Sequence, residues 1–225
     1  FIRNWREDAR RRDLTYNAMS LDFEGRLYDY FEGMNDLQNK VSRFVGDPSE
    51  RIQEDYLRIL RYFRFQSKLR TPQWNKETLD AIQQNAKMLK NISVERVWQE
   101  IQKMLVGDSV IDTLKYMKST GVTEAIGLST DNMDNLQNIN HKLNPIIGLA
   151  LLVGDDSIAT KWKMSKNERD LLSFLVKHKN ENITEQTAKD MVVDGIPKHY
   201  VMFLLEMLGK KDLINKLTLF TAPAF

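Results

Sequence analysis

There is no cysteine in this 225-residue sequence. Disulfide scaffolds, thiol nucleophiles and zinc–thiolate sites are excluded together, and the composition suits a reducing compartment. Turn formers are scarce. The 10 glycines and 5 prolines make up about 7% of the chain, against roughly 12% in average usage. Few breakers predict long helices and few tight turns, and argue against an all-β sandwich. Nowhere do 18 apolar residues run together, so neither a transmembrane helix nor a membrane partner is predicted. An excess of one charge is also lacking, since 33 basic side chains face 31 acidic ones; a net charge of +2 does not by itself imply a polyanionic partner. The sequence opens on Phe1-Ile2-Arg3-Asn4-Trp5. It has neither a start Met nor an apolar run of signal-peptide length, as expected of a piece of a longer protein.

What is there is apolar enough to fold. The hydrophobic share of 42% is too high for a disordered chain, and the length allows one or two domains. The basic residues are sorted along the chain: 12 of the 14 arginines fall within residues 1–70, and 17 of the 19 lysines after them. Arginine suits planar, bidentate recognition of phosphates and bases, whereas lysine is a hydrated point charge. The asymmetry predicts a specific polar site near the N-terminus and a diffuse basic surface beyond it.

β structure is expected only within residues 14–31. Leu14–Leu21 reads as a strand or a short helix, and Asp22–Asp29 as a hairpin turning near Glu24-Gly25. Tyr30–Val45 reads as a connector. Asp47-Pro48 opens a long helix over about residues 48–69, with Ile52, Tyr56, Ile59 or Leu60, and Phe63 on its buried face. Asn75 and Ser93 are expected to cap the next two helices, and Val110–Met117 marks a fourth. Gly121 and Gly127 bracket a turn, and residues 131–143 and 145–153 are helical. Ser165…Glu168 is a capping box, while Thr184 and Pro197 open two more helices. The fold class is mostly α: a small β remnant followed by eight or so helices.

Three blocks carry chemistry. In Arg10-Arg11-Arg12-Asp13 the guanidiniums can hold phosphate or ribose oxygens, with the aspartate orienting a guanidinium or accepting from a hydroxyl; a solvated basic turn has the same composition. In Glu54-Asp55-Tyr56-Leu57-Arg58, continuing through Arg61 and Arg64, the carboxylates lie three and four residues before Arg58. Arg58, Arg61 and Arg64 share one basic sector, each three-residue step drifting about 60°. An ordinary helix surface would carry the same pairs. The sharper reading is that an aspartate only accepts and an arginine only donates. Such a pair matches the amine donor and ring-nitrogen acceptor of adenine and cytosine, and opposes uracil and guanine. The third block, Asp29-Tyr30-Phe31-Glu32-Gly33-Met34-Asn35-Asp36-Leu37, reads as a strand-to-helix turn in which Gly33 supplies a flexible or positive-φ position.

In this order the blocks resemble the class II tRNA nucleotidyltransferases, the CCA-adding enzymes of the polymerase-β-like superfamily. Arg11-Arg12-Asp13 matches the family's RRD motif, Asp29…Gly33…Asp36-Leu37 its hinge motif, and Glu54-Asp55…Arg58 its EDxxR motif. Ser93-Val94-Glu95-Arg96-Val97-Trp98-Gln99-Glu100 resembles the ERxxxE-type helix that follows. The clear likeness covers about residues 8–107. It implies template-independent addition of C, C and A to tRNA 3′ ends, with tRNA, CTP and ATP as partners. Arg11, Arg12 and Asp13 would sit at the nucleotide sugar. Asp55 and Arg58 would read the base edge, Glu54 would orient Arg58, and Arg61 and Arg64 would line the nucleotide site. Asp29, Gly33 and Asp36 would form the hinge that lets one pocket fit C and then the larger A.

The implied organisation is the end of a nucleotidyltransferase head and hinge at residues 1–37, a neck at 38–107, and a tRNA-holding body and tail at 108–225. The family's Asp-x-Asp metal pair precedes the RRD motif, and no Asp-x-Asp occurs in this sequence. The catalytic and metal residues are thus expected upstream, with Mg²⁺ as cofactor, and the 225 residues alone are expected to be inactive. His141, His178 and His199 lack close ligand partners and are not expected to hold metal. The 51–65 block looks closer to mitochondrial-type members, implying a mitochondrial and also cytosolic location. Rival readings are a poly(A) polymerase or partial CC- or A-adding enzyme, a non-catalytic helical RNA-binding module, and a plain helical scaffold.

Overall fold

The computed structural model describes residues 4–137 and 144–221. Among these the only sheet is a two-stranded antiparallel hairpin, β1 (Ser20–Leu21) and β2 (Leu27–Tyr28), with Ser20 opposite Tyr28 and Leu21 opposite Leu27. The turn forms where expected, at Gly25 with φ 81°. Asp22 closes it by accepting from the backbone N–H groups of Glu24 (3.1 Å) and Arg26 (2.8 Å). Both readings of residues 14–21 hold in part, since Thr15–Ala18 is a 3₁₀ turn leading into β1.

The remainder is helical and gathers into two compact units, Phe1–Gly127 and Leu128–Phe225. Both expected boundaries, after residues 37 and 107, fall inside the first unit. That unit holds α1 (Trp5–Arg10), α2 (Gly33–Gln38), α3 (Pro48–Glu54), α4 (Leu57–Lys68), α5 (Lys76–Asn85), α6 (Val94–Leu105), α7 (Val110–Ser119) and α8 (Val122–Ile126). Its centre is α4 against α6, with α3 on α5. Ile52, Ile59, Leu60, Phe63, Ile82, Ile101 and Leu105 are buried there. The second unit holds α9 (Pro145–Leu152), α10 (Ser157–Lys161), α11 (Lys166–His178), α12 (Glu185–Val193), α13 (Lys198–Met207) and α14 (Lys211–Leu219). There α9 is buried from Ile146 to Leu152 and packs on α11, as a helix apolar on all sides must be. No described helix is long and apolar enough to cross a membrane.

The predicted caps at Asn75, Ser165, Thr184 and Pro197 stand where helices α5, α11, α12 and α13 begin. Asn75 accepts from the Thr78 N–H at 2.8 Å. Gly121 and Gly127 both take positive φ but bracket the short helix α8 rather than a turn. Residues 133–136 form a 3₁₀ turn, and the rest of the expected 131–143 helix lies largely outside the described residues.

Two expectations need correction. The helix over 48–69 is really two, because Asp55 is extended (φ −155°, ψ 106°). Its side chain accepts from the Leu57 N–H at 3.1 Å. An aspartate can offer the backbone this local bond in place of the helical one, so α3 stops and α4 starts afresh. The Tyr30–Val45 connector contains α2. Asp29 starts that helix by accepting from Gly33 N (2.8 Å) and Met34 N (2.9 Å), two donors that a helix leaves unsatisfied at its first turn.

Candidate functional site

The N-terminal arginines are set by α1. Asn4 caps the helix, and Arg11 is its C-cap. One turn back, Asp8 accepts from Arg11 Nε at 2.7 Å and Arg12 Nη2 at 2.8 Å. Bonds from Arg12 and then Arg11 hold the Asp8 carboxyl below its ordinary pKa. Both arginine side chains remain more than half exposed, at 62% and 51%.

Asp13 turns inward and does not orient its neighbouring arginines. Its Oδ2 accepts from Arg61 Nε at 2.5 Å and its Oδ1 from Asn17 Nδ2 at 3.1 Å. Burial pushes the Asp13 pKa up; the Arg61 and Asn17 bonds outweigh it, and the carboxyl sits below its usual range. Burial likewise depresses Arg61, but Asp13 raises it above its ordinary value. The turn is pinned to residues 43–45. The Asp13 carbonyl accepts from Val45 N, and Thr15 N donates to the Arg43 carbonyl, both at 3.0 Å.

The break between α3 and α4 shapes the second block. Glu54 pairs with Arg58, as the four-residue spacing predicts, and also with Arg51. The bond from Arg58 is the chief reason its pKa is lowered. Arg58 is further held by the Arg51 carbonyl at 2.8 Å. Asp55 does not pair with Arg58. Its Oδ2 accepts from Arg96 Nη2, on α6, at 3.0 Å. Arg64 leaves the sector. Two steps of about 60° carry it some 120° round from Arg58, onto the face of α4 that packs on α6. There it meets Glu100 at 3.1 Å, the two side chains being 10% and 6% exposed. Burial pushes the Arg64 pKa down.

These residues surround a cleft of about 670 Å³. Of the sequence candidates, Arg11, Arg12, Asp13, Asp55, Arg58 and Arg61 line it. Glu54 and Arg64 do not; Glu54 stands behind Arg58, and Arg64 is in the interior. Asn17, Leu57, Phe65 and Arg96 complete the wall. Sequence reasoning gave no role to Arg96 or Asp8. Asp8 was legible, since it lies three and four residues before the two arginines. Arg96 carried no signal beyond its motif. Five arginines against two aspartates leave the cleft strongly positive, which suits a phosphorylated ligand.

The residues expected to form a hinge are tied by hydrogen bonds and close packing. Asp36 is 2% exposed and accepts from Thr15 Oγ1 (2.5 Å) and Arg43 Nε (2.7 Å). Gly33 does not have positive φ; Glu32 does, at 60°. The glycine is required by proximity, because a Cβ there would stand 2.5 Å from the Thr15 carbonyl oxygen.

Among the described residues no three His, Asp or Glu side chains gather as a metal-holding group. His178 pairs with Glu181 at 2.8 Å, His199 packs edge-on against Tyr200, and His141 lies outside the described residues. The two carboxylates of the cleft are each bonded to a guanidinium, so they do not fit a divalent-ion pair.

Residues 1–43 match the family profile described as the poly A polymerase head domain, and residues 74–131 the one described as the probable RNA and SrmB-binding site of polymerase A. Both matches are to parts of poly(A) polymerase-type proteins. The whole chain is 38% identical over 247 aligned residues to the mouse (Mus musculus) mitochondrial CCA tRNA nucleotidyltransferase 1, covering 57% of that relative. It is 32% identical over 222 residues to the CCA-adding enzyme of Lactobacillus helveticus, with 96% of this chain and 53% of that one aligned. The chain belongs to the CCA-adding tRNA nucleotidyltransferase family and spans a little over half the length of these relatives. The fold agrees. The Bacillus stearothermophilus CCA-adding enzyme solved with CTP superposes with a TM-score of 0.83 at 23% identity, over 97% of this chain and 59% of that one. The Thermotoga maritima enzyme solved with tRNA gives 0.63 at 20% identity, over 98% and 63%.

Proposed function

We propose that this chain selects the nucleotide and holds the tRNA in template-independent addition of C, C and A to tRNA 3′ ends. The observation that carries the reading is the shared cleft, in which an acceptor, Asp55, and a donor, Arg58, stand beside the cationic Arg11-Arg12 turn. An acceptor beside a donor complements the Watson–Crick edges of cytosine and adenine and opposes those of uracil and guanine. Arg96 would keep the Asp55 carboxylate aimed, Glu54 would steady Arg58, and Arg11 and Arg12 would meet the sugar and phosphates. Asp13 serves through Arg61. Asp29, Gly33 and Asp36 would form the hinge, residues 38–107 the neck, and the lysine-bearing helices of 108–225 the tRNA-holding part. Mg²⁺ would supply charge neutralisation at the phosphates, from carboxylates other than the two in this cleft. Relatives named mitochondrial support a mitochondrial location.

The test supplies tRNA lacking CCA, Mg²⁺, CTP and ATP to a polypeptide that joins these residues to a head bearing the Asp-x-Asp pair. Successive C, C and A addition supports the reading. Extension by A alone supports the poly(A)-type alternative, and RNA binding with no incorporation supports a non-catalytic module.

A further inference from the structure

Arg51 belongs to none of the motifs that pick out the cleft, and its guanidinium does not line it. It sits on α3 with its side chain 11% exposed, and its bonds run in two directions. Nη2 donates to the backbone carbonyls of Arg11 (2.8 Å) and Arg12 (2.7 Å). Nη1 donates to both carboxylate oxygens of Glu54, each at 2.5 Å. Glu54 in turn accepts from Arg58, which also bonds the Arg51 carbonyl. The Arg11 and Arg12 carbonyls lie at the C-terminal end of α1, where unpaired carbonyls carry partial negative charge and attract a cation. One planar guanidinium thus spans two chain segments some 40 residues apart and joins the turn bearing Arg11 and Arg12 to the side chain of Arg58.

We infer that Arg51 is a positioning residue that locks the sugar- and phosphate-facing turn to the base-facing arginine, so that the two halves of a nucleotide are met at a set separation. The inference rests on the nucleotide-selecting reading of the cleft. A fork is needed because the partners lie on two edges. Lysine can satisfy the carbonyls or Glu54 but does not reproduce the planar pair. An Arg51→Met protein keeps the stem and loses the link. Arg12 and Arg58 then move independently, and a misplacement of about 1 Å in such a site costs on the order of a hundredfold in function.

The experiment is equilibrium titration of the protein with CTP, ATP and UTP, alongside thermal unfolding, for the parent, Arg51→Met, Arg51→Lys and Glu54→Gln. Arg51→Met is expected to bind CTP and ATP at least about tenfold more weakly and to narrow the CTP-over-UTP ratio. Arg51→Lys should recover part of the affinity. Glu54→Gln, which keeps the carbonyl bonds and the fold, should narrow the ratio with a smaller loss of affinity. A melting temperature lowered with affinities and ratio unchanged in Arg51→Met and Glu54→Gln overturns the inference and leaves Arg51 a plain helix cap. If Arg51→Met does not fold, Glu54→Gln decides by the same ratio. A parent that binds neither CTP nor ATP overturns the nucleotide reading and this inference with it. A parent that binds both, beside variants that bind them equally well, overturns only the inference.

Discussion

In the proposed reading, Asp55 is the side chain on which base choice turns. Its Oδ1 is spent on the Leu57 N–H and its Oδ2 meets Arg96 at 3.0 Å, so Arg96 orients the acceptor while the cleft keeps access to it. On that reading Asp55→Ala removes the partner proposed for the exocyclic amine of C and A and leaves Arg58 donating. Discrimination between CTP and UTP is expected to fall by roughly 1–3 kcal/mol, the cost of one unmet buried polar group, read as the ratio of dissociation constants. Lys87→Ala, an exposed change outside the cleft, should leave the ratio alone; identical behaviour of the two variants would make Asp55 a surface residue. Asp13 makes a pH prediction. Its folded pKa lies below the ordinary carboxylate value, since its bonds outweigh burial. Its contribution to stability is therefore present above about pH 4 and is lost as pH falls through the depressed folded value. Asp13→Asn should flatten the acid limb of stability against pH, measured by urea unfolding at a series of pH values.

The helices show why local rules carried some elements and not others. Capping is a contact within four residues, so Asn75, Ser165 and Thr184 were visible as helix starts. The break after α3 is equally local, yet Asp55 within an unbroken apolar periodicity looked like any exposed helical aspartate. Helix α2 was half visible: the Asp29–Leu37 block reads as a strand-to-helix turn, but the first turn of the helix leans on Asp29, outside it, and its glycine looks like a breaker. That glycine is there because the 3₁₀ turn Thr15–Ala18 passes against it. Gly33→Ala is expected to destabilise the protein by about 1–3 kcal/mol, since overpacking forces backbone to move, with the loss read from chemical denaturation. Gly154→Ala, where a Cβ would meet nothing within 4 Å, should be near neutral. If Asp29, Gly33 and Asp36 act as a hinge, stiffening at Gly33 should reduce A addition more than C addition in a polypeptide bearing the transfer carboxylates, and equal losses would argue against it.

For the chain taken entire, the division between cationic cleft and lysine-bearing helices predicts two separable affinities. The 225 residues alone are expected to bind CTP and ATP but to incorporate neither into tRNA, because two-metal phosphoryl transfer needs a carboxylate pair and no Asp-x-Asp occurs in this sequence. Incorporation by these residues alone would reveal metal ligands elsewhere in them. Binding of tRNA should weaken at least about tenfold between about 50 and about 200 mM salt, as counterion release requires of a lysine-rich contact. A salt-insensitive affinity would count against phosphate tracking by the later helices.

The amino-acid sequence alone specifies the helical class, the hairpin, most helix starts, and the residue types that line the cleft. These follow from composition and from contacts within a turn of helix, which spacing reports directly. Tertiary structure decided which of those residues face one another. Asp13 meets Arg61 across 48 residues and Asp55 meets Arg96 across 41. Arg64, alike in sequence to Arg58 and Arg61, is turned against Glu100 by the helical advance and by the packing of α4 on α6. Spacing gives the angle of a side chain around its own helix. Only the packing of one helix on another supplies the partner at that angle.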